Sequence, residues 1–145
     1  MEIVRAKSPF FLRLENRGRV KPEDPEPLIG TMRRIVFEHI CGEDNGPRGS
    51  YFSGIPEKCI EDVVVHEVTL QQHSTQKPPI EETAISELYG VYPDAHMIDD
   101  FGDSPAYGLW ARHVKNLALI NLTVIPIGSE MRPMFVLDTN VALSK

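Results

Sequence analysis

Nine residues, Val114-Lys115-Asn116-Leu117-Ala118-Leu119-Ile120-Asn121-Leu122, carry the same apolar spacing as two earlier stretches, Met32 to Ile40 and Ile60 to Val68. Apolar side chains stand at gaps of three, two and three: Met32, Ile35, Phe37, Ile40; Ile60, Val63, Val65, Val68; Val114, Leu117, Leu119, Leu122. The offsets are 28 (32 to 60) and 54 (60 to 114). Since 54 is twice 27, the simplest reading is a structural repeat of about 27 residues with one cycle hidden by an insertion between 71 and 104.

The gap of two is the alternation of a strand, which puts Leu117 and Leu119 inward, Ala118 and Ile120 outward, and Asn121 where a turn between strands falls. Twelve prolines and ten glycines lie between short runs of Val, Ile and Leu, a pattern of brief strands. A helical solenoid needs longer runs at a period of 3.6. The reading is therefore all-β, a parallel β-helix stacking its coils at about 4.8 Å, with a β-sandwich as the alternative. Pro9-Phe10-Phe11-Leu12 is read as equivalent to Pro133-Met134-Phe135-Val136. Tyr51 to Ile55 is read as equivalent to Pro105 to Leu109, so each coil carries more than one strand. The insertion, which includes Lys77-Pro78-Pro79 and Tyr92-Pro93-Asp94, is long enough to flank a groove, with a plain surface excursion as the equal alternative.

The 145 residues, 41% hydrophobic and 25% charged, suit one globular domain over 1–145. A net charge of -6 argues against nucleic-acid binding, which needs clustered cations in excess. No stretch reaches the roughly 18 to 20 apolar residues of a membrane span, and Asn121 and Thr123 interrupt the best candidate, Leu117 to Ile127. Charges at Glu2, Arg5, Lys7, Arg13, Glu15, Arg17 and Arg19 leave no room for the apolar core of a signal peptide. Two cysteines, Cys41 and Cys59, fall far short of a disulfide scaffold.

Several segments resemble glycoside hydrolase family 28, the polygalacturonases and related pectin-degrading enzymes. They are Ser8-Pro9-Phe10-Phe11-Leu12-Arg13 with Asn16-Arg17-Gly18-Arg19, Gly30-Thr31-Met32, Gly54-Ile55-Pro56-Glu57, Tyr92-Pro93, Phe101-Gly102, Pro105-Ala106-Tyr107-Gly108-Leu109-Trp110-Ala111-Arg112-His113-Val114, Arg132-Pro133 and Val136-Leu137-Asp138. Their order covers nearly the whole chain and is similar to the C-terminal coils of that family. The resemblance implies a right-handed parallel β-helix, a hydrolase acting on O-glycosidic bonds in carbohydrate metabolism, and secreted or periplasmic relatives.

The family's chemistry uses a cluster of aspartates, one donating a proton and others activating water. Its N-x-D, D-D, G-H-G and R-I-K motifs are not found here in their family context, so no catalytic residue is assigned. Asp99-Asp100 lies in the insertion and reads as a solvated acidic loop, and Asp138-Thr139-Asn140 holds the family's letters only in reverse. Expected binding residues are Arg13, Asn16, Arg17 and Arg19, a cationic patch with Lys21 whose guanidinium forks match the carboxylates of a uronic-acid chain. Salt bridging of these arginines to Glu15 or Glu23 is the competing reading. Tyr89, Tyr92, Phe101, Tyr107 and Trp110 could stack on sugars, but the last two are expected to pack the joint with the insertion.

His39, Cys41, Cys59 and His66 are not spaced as a metal set, and neither metal nor cofactor is expected. The sequon Asn121-Leu122-Thr123 falls within an apolar strand and reads as chance. Gly42 to Gly49 reads as a polar turn. A β-helix entered midway through a coil at Glu2-Ile3-Val4 would expose an open end that upstream coils or self-association would cover. Two functions follow: a pectin-hydrolase C-terminal part, inactive alone, or a non-catalytic β-helical module binding acidic polysaccharide or a partner protein. A trimeric fibre-type β-helix ranks third.

Overall fold

The computed structural model describes residues 1–15, 23, 29–87, 104–138 and 141. Eight strands follow in order: β1 (Glu2–Val4), β2 (Phe11–Arg13), β3 (Arg33–Asn45), β4 (Ser50–Ser53), β5 (Ile60–His73), β6 (Leu109–Arg112), β7 (Val114–Ile127) and β8 (Phe135–Leu137). A 3-10 turn spans Glu82–Ala84. The strands form two four-stranded sheets, a long one ordered β1-β3-β5-β7 and a short one ordered β2-β4-β6-β8. All six pairings are parallel, so the chain steps alternately between the sheets and advances one position at each return. The domain is all-β, and its parallel pairing does not fit an antiparallel sandwich.

The repeated template stands in register. Ile35, Phe37 and Ile40 lie opposite Val63, Val65 and Val68. These in turn face Leu117, Leu119 and Leu122, while Ile60 faces Val114. Met32 joins through its carbonyl, which accepts from Glu61 N at 3.0 Å. The gaps of three have a physical cause: each encloses one residue with positive φ. Arg34, Asp62 and Asn116 form one such ladder (φ 58°, 55° and 57°), and His39, Glu67 and Asn121 the next (52°, 51° and 52°). A residue in the left-handed region turns the chain through a corner, so two outward positions follow one another before the next inward one. Asn and Asp tolerate that conformation better than most residues. Asn121 thus marks a corner inside β7, where a turn between strands was expected.

Between the sheets lies one apolar core, with Phe52, Leu109 and Ala111 from the short sheet and Ile60, Val63, Val65, Val68, Leu70, Val114, Leu117 and Val124 from the long one. Phe37 stacks between Phe10 and Phe52, with centroids 4.4 and 5.7 Å away. Leu117 is buried, Leu119 packs half-buried on the core and Ile120 is exposed; Ala118, expected outside, is buried.

Three readings of the repeat need correction. First, β5 and β7 are hydrogen-bonded neighbours, so the 54-residue offset hides no cycle; the intervening residues form a long connection within one layer. That connection begins after His73, because β5 runs through 71–73. Second, Tyr51 is level with Trp110, not Pro105. Residues 54–59 form an extra loop closed by the Ile55–Lys58 bridge, whereas His113 alone (φ 51°) joins β6 to β7. Gly54 is required there, since a Cβ would run into the His113 carbonyl. Third, Phe11 is level with Val136, not Phe135, a one-residue shift that exchanges the faces of the strand.

The turn from β7 to β8 is held by Glu130. Its carboxylate accepts from the backbone N–H of Met131 and Arg132 and from Arg132 Nε and Nη2 at 2.7 to 3.0 Å. Burial opposes the charge on Glu130, but the Arg132 hydrogen bonds, the guanidinium charge and the Met131 N–H outweigh it and hold the carboxyl below its usual 4.5. Arg132 Nη1 also donates to Ser104 O at 3.4 Å, tying this turn to the end of the long connection.

Asn121→Val forces a β-branched residue into the left-handed region and lowers stability by about 1–2 kcal/mol in urea unfolding. Asn121→Gly stays within about 1 kcal/mol of the parent. Arg132→Met leaves a buried carboxylate unpaired and costs about 3–5 kcal/mol at neutral pH. A depressed carboxyl contributes its stability above its unfolded pKa and loses it as pH falls through the folded one. The deficit of Arg132→Met therefore shrinks on acidification below about pH 4.5, which urea midpoints across that range measure.

Candidate functional site

The inner face of the short sheet meets the core, and its outer face is covered as well. One outer row is Phe11–Tyr51–Trp110–Val136, assembled by strand register. Tyr51 and Trp110 are fully buried, with rings edge-to-face at 5.8 Å, and Ala106 and Ile85 from the long connection close over them. Trp110 therefore packs the joint between the connection and the short sheet, as suits a large ring, and not a joint with the third template. Tyr107 lies half-buried on the main core, its hydroxyl donating to Val124 O at 3.4 Å.

Two residues along each strand, on the same face, the next row reads Arg13–Ser53–Arg112, with Asp138 just beyond the end of β8. Asp138 N donates to Ala111 O at 2.9 Å, which anchors it there. The small Ser53 leaves room for guanidinium groups from either side. Its Oγ accepts from Arg13 Nη1 at 2.9 Å and from Arg112 Nε at 3.2 Å. Arg112 lies over the Trp110 ring at 4.7 Å, a cation–π contact.

Both guanidinium groups then reach the chain that crosses above them. Arg112 donates to Ile85 O at 3.0 Å and Ser86 O at 2.7 Å, and Arg13 donates to Glu87 O at 2.5 Å. Arg13 also donates to Gly54 O at 3.2 Å and pairs with Glu15. The Glu87 carboxylate lies 3.0 Å from His113 Nε2 and 3.5 Å from Arg112 Nη1. Beside this crossing opens a cleft of about 250 Å³ lined by Thr83, Ile85, Glu87, Arg112 and Asp138. It offers two carboxylates, a hydroxyl and a guanidinium edge, groups that hydrogen-bond the hydroxyls or carboxylate of a sugar-sized ligand.

Of the four binding residues read from the sequence, Arg13 is placed here, buried and paired with Glu15 as the competing reading had it. Asn16, Arg17 and Arg19, with Lys21, lie outside the described residues. So do Tyr89, Tyr92, Asp99, Asp100, Phe101, Thr139 and Asn140. Arg112, Glu87, Asp138, Ser53 and Thr83 were missed as site residues. The ends of the Phe10-to-Arg13 and Leu109-to-Arg112 runs share an arginine, which is the one signal that could have paired them. The offsets between adjacent short strands, 40 (13 to 53) and 59 (53 to 112), hide it from any periodic reading.

On the outer side of the long sheet, Glu38 and His39 face His66 and Glu67. His66 Nδ1 lies 3.0 Å from Glu38, and His39 Nδ1 lies 2.6 Å from Glu67. The His66 hydrogen bond and the His39 charge draw Glu38 below its usual pKa. Hydrogen bonds from His73 and then Arg5 do the same for Asp44, at a corner (φ 54°) of β3, which runs on through Asn45 where a polar turn was expected from Gly42. These exposed pairs lie along the corners. Cys41 and Cys59 are free thiols, and among the described residues no three His, Cys, Asp or Glu side chains are arranged to hold a metal ion.

No protein-family model, curated protein or solved structure matches the chain.

Ser53→Ala removes an acceptor that both arginines share and takes a hydrogen bond from two buried donors. It lowers stability by about 1–3 kcal/mol, whereas Thr83→Ala at the exposed rim changes it by less than about 0.5 kcal/mol. Paired urea titrations of the two variants check the contrast.

Proposed function

We propose that the chain forms the C-terminal coils of a right-handed parallel β-helix of the polygalacturonase-like class and that it binds an acidic, uronic-acid polysaccharide without hydrolysing it alone. The observation that carries the reading is the ladder of three matching templates with their corner residues in register, reached by strict alternation between two parallel sheets. A right-handed path is the one that parallel crossover connections take almost without exception. The family resemblance adds the hydrolase class and the pectin-type ligand.

Binding is assigned to Arg13, at the end of β2, and to Asn16, Arg17 and Arg19, which follow it in the sequence. Glycoside hydrolysis needs one carboxyl to protonate the leaving oxygen and a second to act as base or nucleophile. The cleft offers Glu87 and Asp138, but Glu87 is engaged by His113 and Arg112, which suits a holding site better than a proton donor.

A second reading, a β-helical module that holds a partner protein, is favoured by β7. It pairs with β5 on one side, no described strand covers its other edge, and Ile120, Ile125 and Ile127 are exposed along it.

The chain incubated with polygalacturonate is expected to release no reducing ends yet to be retarded in gels containing the polymer. Replacing Arg17 and Arg19 together by Ala is expected to weaken binding by about tenfold. Turnover by the isolated chain would overturn the non-hydrolytic assignment, and normal migration in the gel would overturn polysaccharide binding in favour of the partner-protein reading.

A further inference from the structure

We propose that residues 85–87 form a displaceable strap that occupies an anion site built from Arg13 and Arg112, so that the chain is autoinhibited for binding carboxylate polymers. The inference rests on the acidic-polysaccharide reading above and specifies how that site is regulated. Three consecutive carbonyls, those of Ile85, Ser86 and Glu87, each accept from one of the two guanidinium groups. The Glu87 carboxylate adds a charge 3.5 Å from Arg112. The strap thus presents to the arginine row what a carboxylate-bearing chain would present: a line of oxygen acceptors with an anion among them.

The two arginines are separated by one intervening strand, but both guanidinium groups converge on Ser53 Oγ, at 2.9 and 3.2 Å, so the two donor nitrogens stand no more than about 6 Å apart. A flexible polyanion can span that distance with two carboxylates. The strap itself is lightly held. Thr83, Ala84 and Ser86 are exposed, and Ile85 is its one apolar anchor on the Tyr51–Ala106–Trp110 cluster. Segments with few buried apolar contacts open at low free-energy cost. Neutral carbonyls are also weaker acceptors for guanidinium than carboxylates are. The open cleft lined by Thr83, Glu87, Arg112 and Asp138 gives a ligand its first foothold on the Arg112 edge. His113, Glu15 and Asp138 are the other charged or titratable groups at the row. Glu15 stays with Arg13 when the strap leaves, because it belongs to the chain leaving β2 and not to the strap.

If most molecules hold the strap closed, apparent affinity is reduced by the closed fraction, and loosening the strap restores it. Ile85→Ala removes the apolar anchor while keeping the residue-85 carbonyl that accepts from Arg112, and Glu87→Gln removes the strap's charge. Oligogalacturonate and, as an unrelated carboxylate polymer, poly-glutamate are titrated against the parent and both variants, with hydrogen exchange followed at the amides of 85–87. Both variants are expected to bind oligogalacturonate about tenfold more tightly than the parent, and ligand is expected to speed exchange at 85–87 in the parent. Equal binding by parent and variants, with exchange unchanged, overturns the strap and leaves the polysaccharide reading standing. Tighter binding of poly-glutamate alone by the variants supports the strap and overturns the pectin-type ligand. Failure of both polymers to bind any of the three proteins overturns both.

Discussion

A strand that turns a corner while keeping apolar side chains on its inner face must take one residue through the left-handed region, and in a parallel stack every layer must do so at the same place. This constraint organises the long sheet. Arg34, Asp62 and Asn116 share one corner and His39, Glu67 and Asn121 the next. Between the corners the apolar positions alternate strictly, and across layers they meet like with like. A displaced corner in one layer would break the ladder hydrogen bonds and turn its inward residues out together. The corner positions also face solvent, which is where the Glu38–His66 and His39–Glu67 pairs form.

The short sheet obeys a different rule because both of its faces are covered. Its inner face needs apolar residues, and its outer face takes an aromatic row followed by a charged row. The connection between β5 and β6 serves that outer face. Ile85 and Ala106 cover the aromatic row, and the carbonyls of 85–87 accept from the guanidinium groups of the charged one. Burying two arginines is unfavourable unless their donors are met. Here Ser53, Glu15, Glu87 and the crossing backbone accept from them, so the same hydrogen bonds seat residues 85–87 over the row and set the chemistry of the cleft beside it.

The long sheet was legible in the sequence because its period is written in side-chain type. Gaps of three, two and three recur, and Asn and Asp stand at several corners. The 54-residue offset was misread because arithmetic on intervals cannot tell a hidden layer from a long connection; only the β5–β7 hydrogen bonds separate them. The short sheet was partly legible as strands but not in register, since 54–59 and the long connection alter the spacing on either side of β4. The site was less legible still. Arg13 was visible as a cation near other cations, whereas Arg112, Ser53, Glu87 and Asp138 are far apart in the chain and acquire meaning together only through that register.

By itself the sequence determined an all-β chain, the inward-facing template positions of its long sheet and one of its corners, because hydrophobic periodicity and left-handed propensity are local properties that side chains carry wherever they are. Tertiary structure alone decided which layers are neighbours, which face of the short sheet is covered, and which charged groups meet at Arg112. Those depend on strand register and loop length, and hydrogen bonds between distant segments, not the residues along any one of them, fix both.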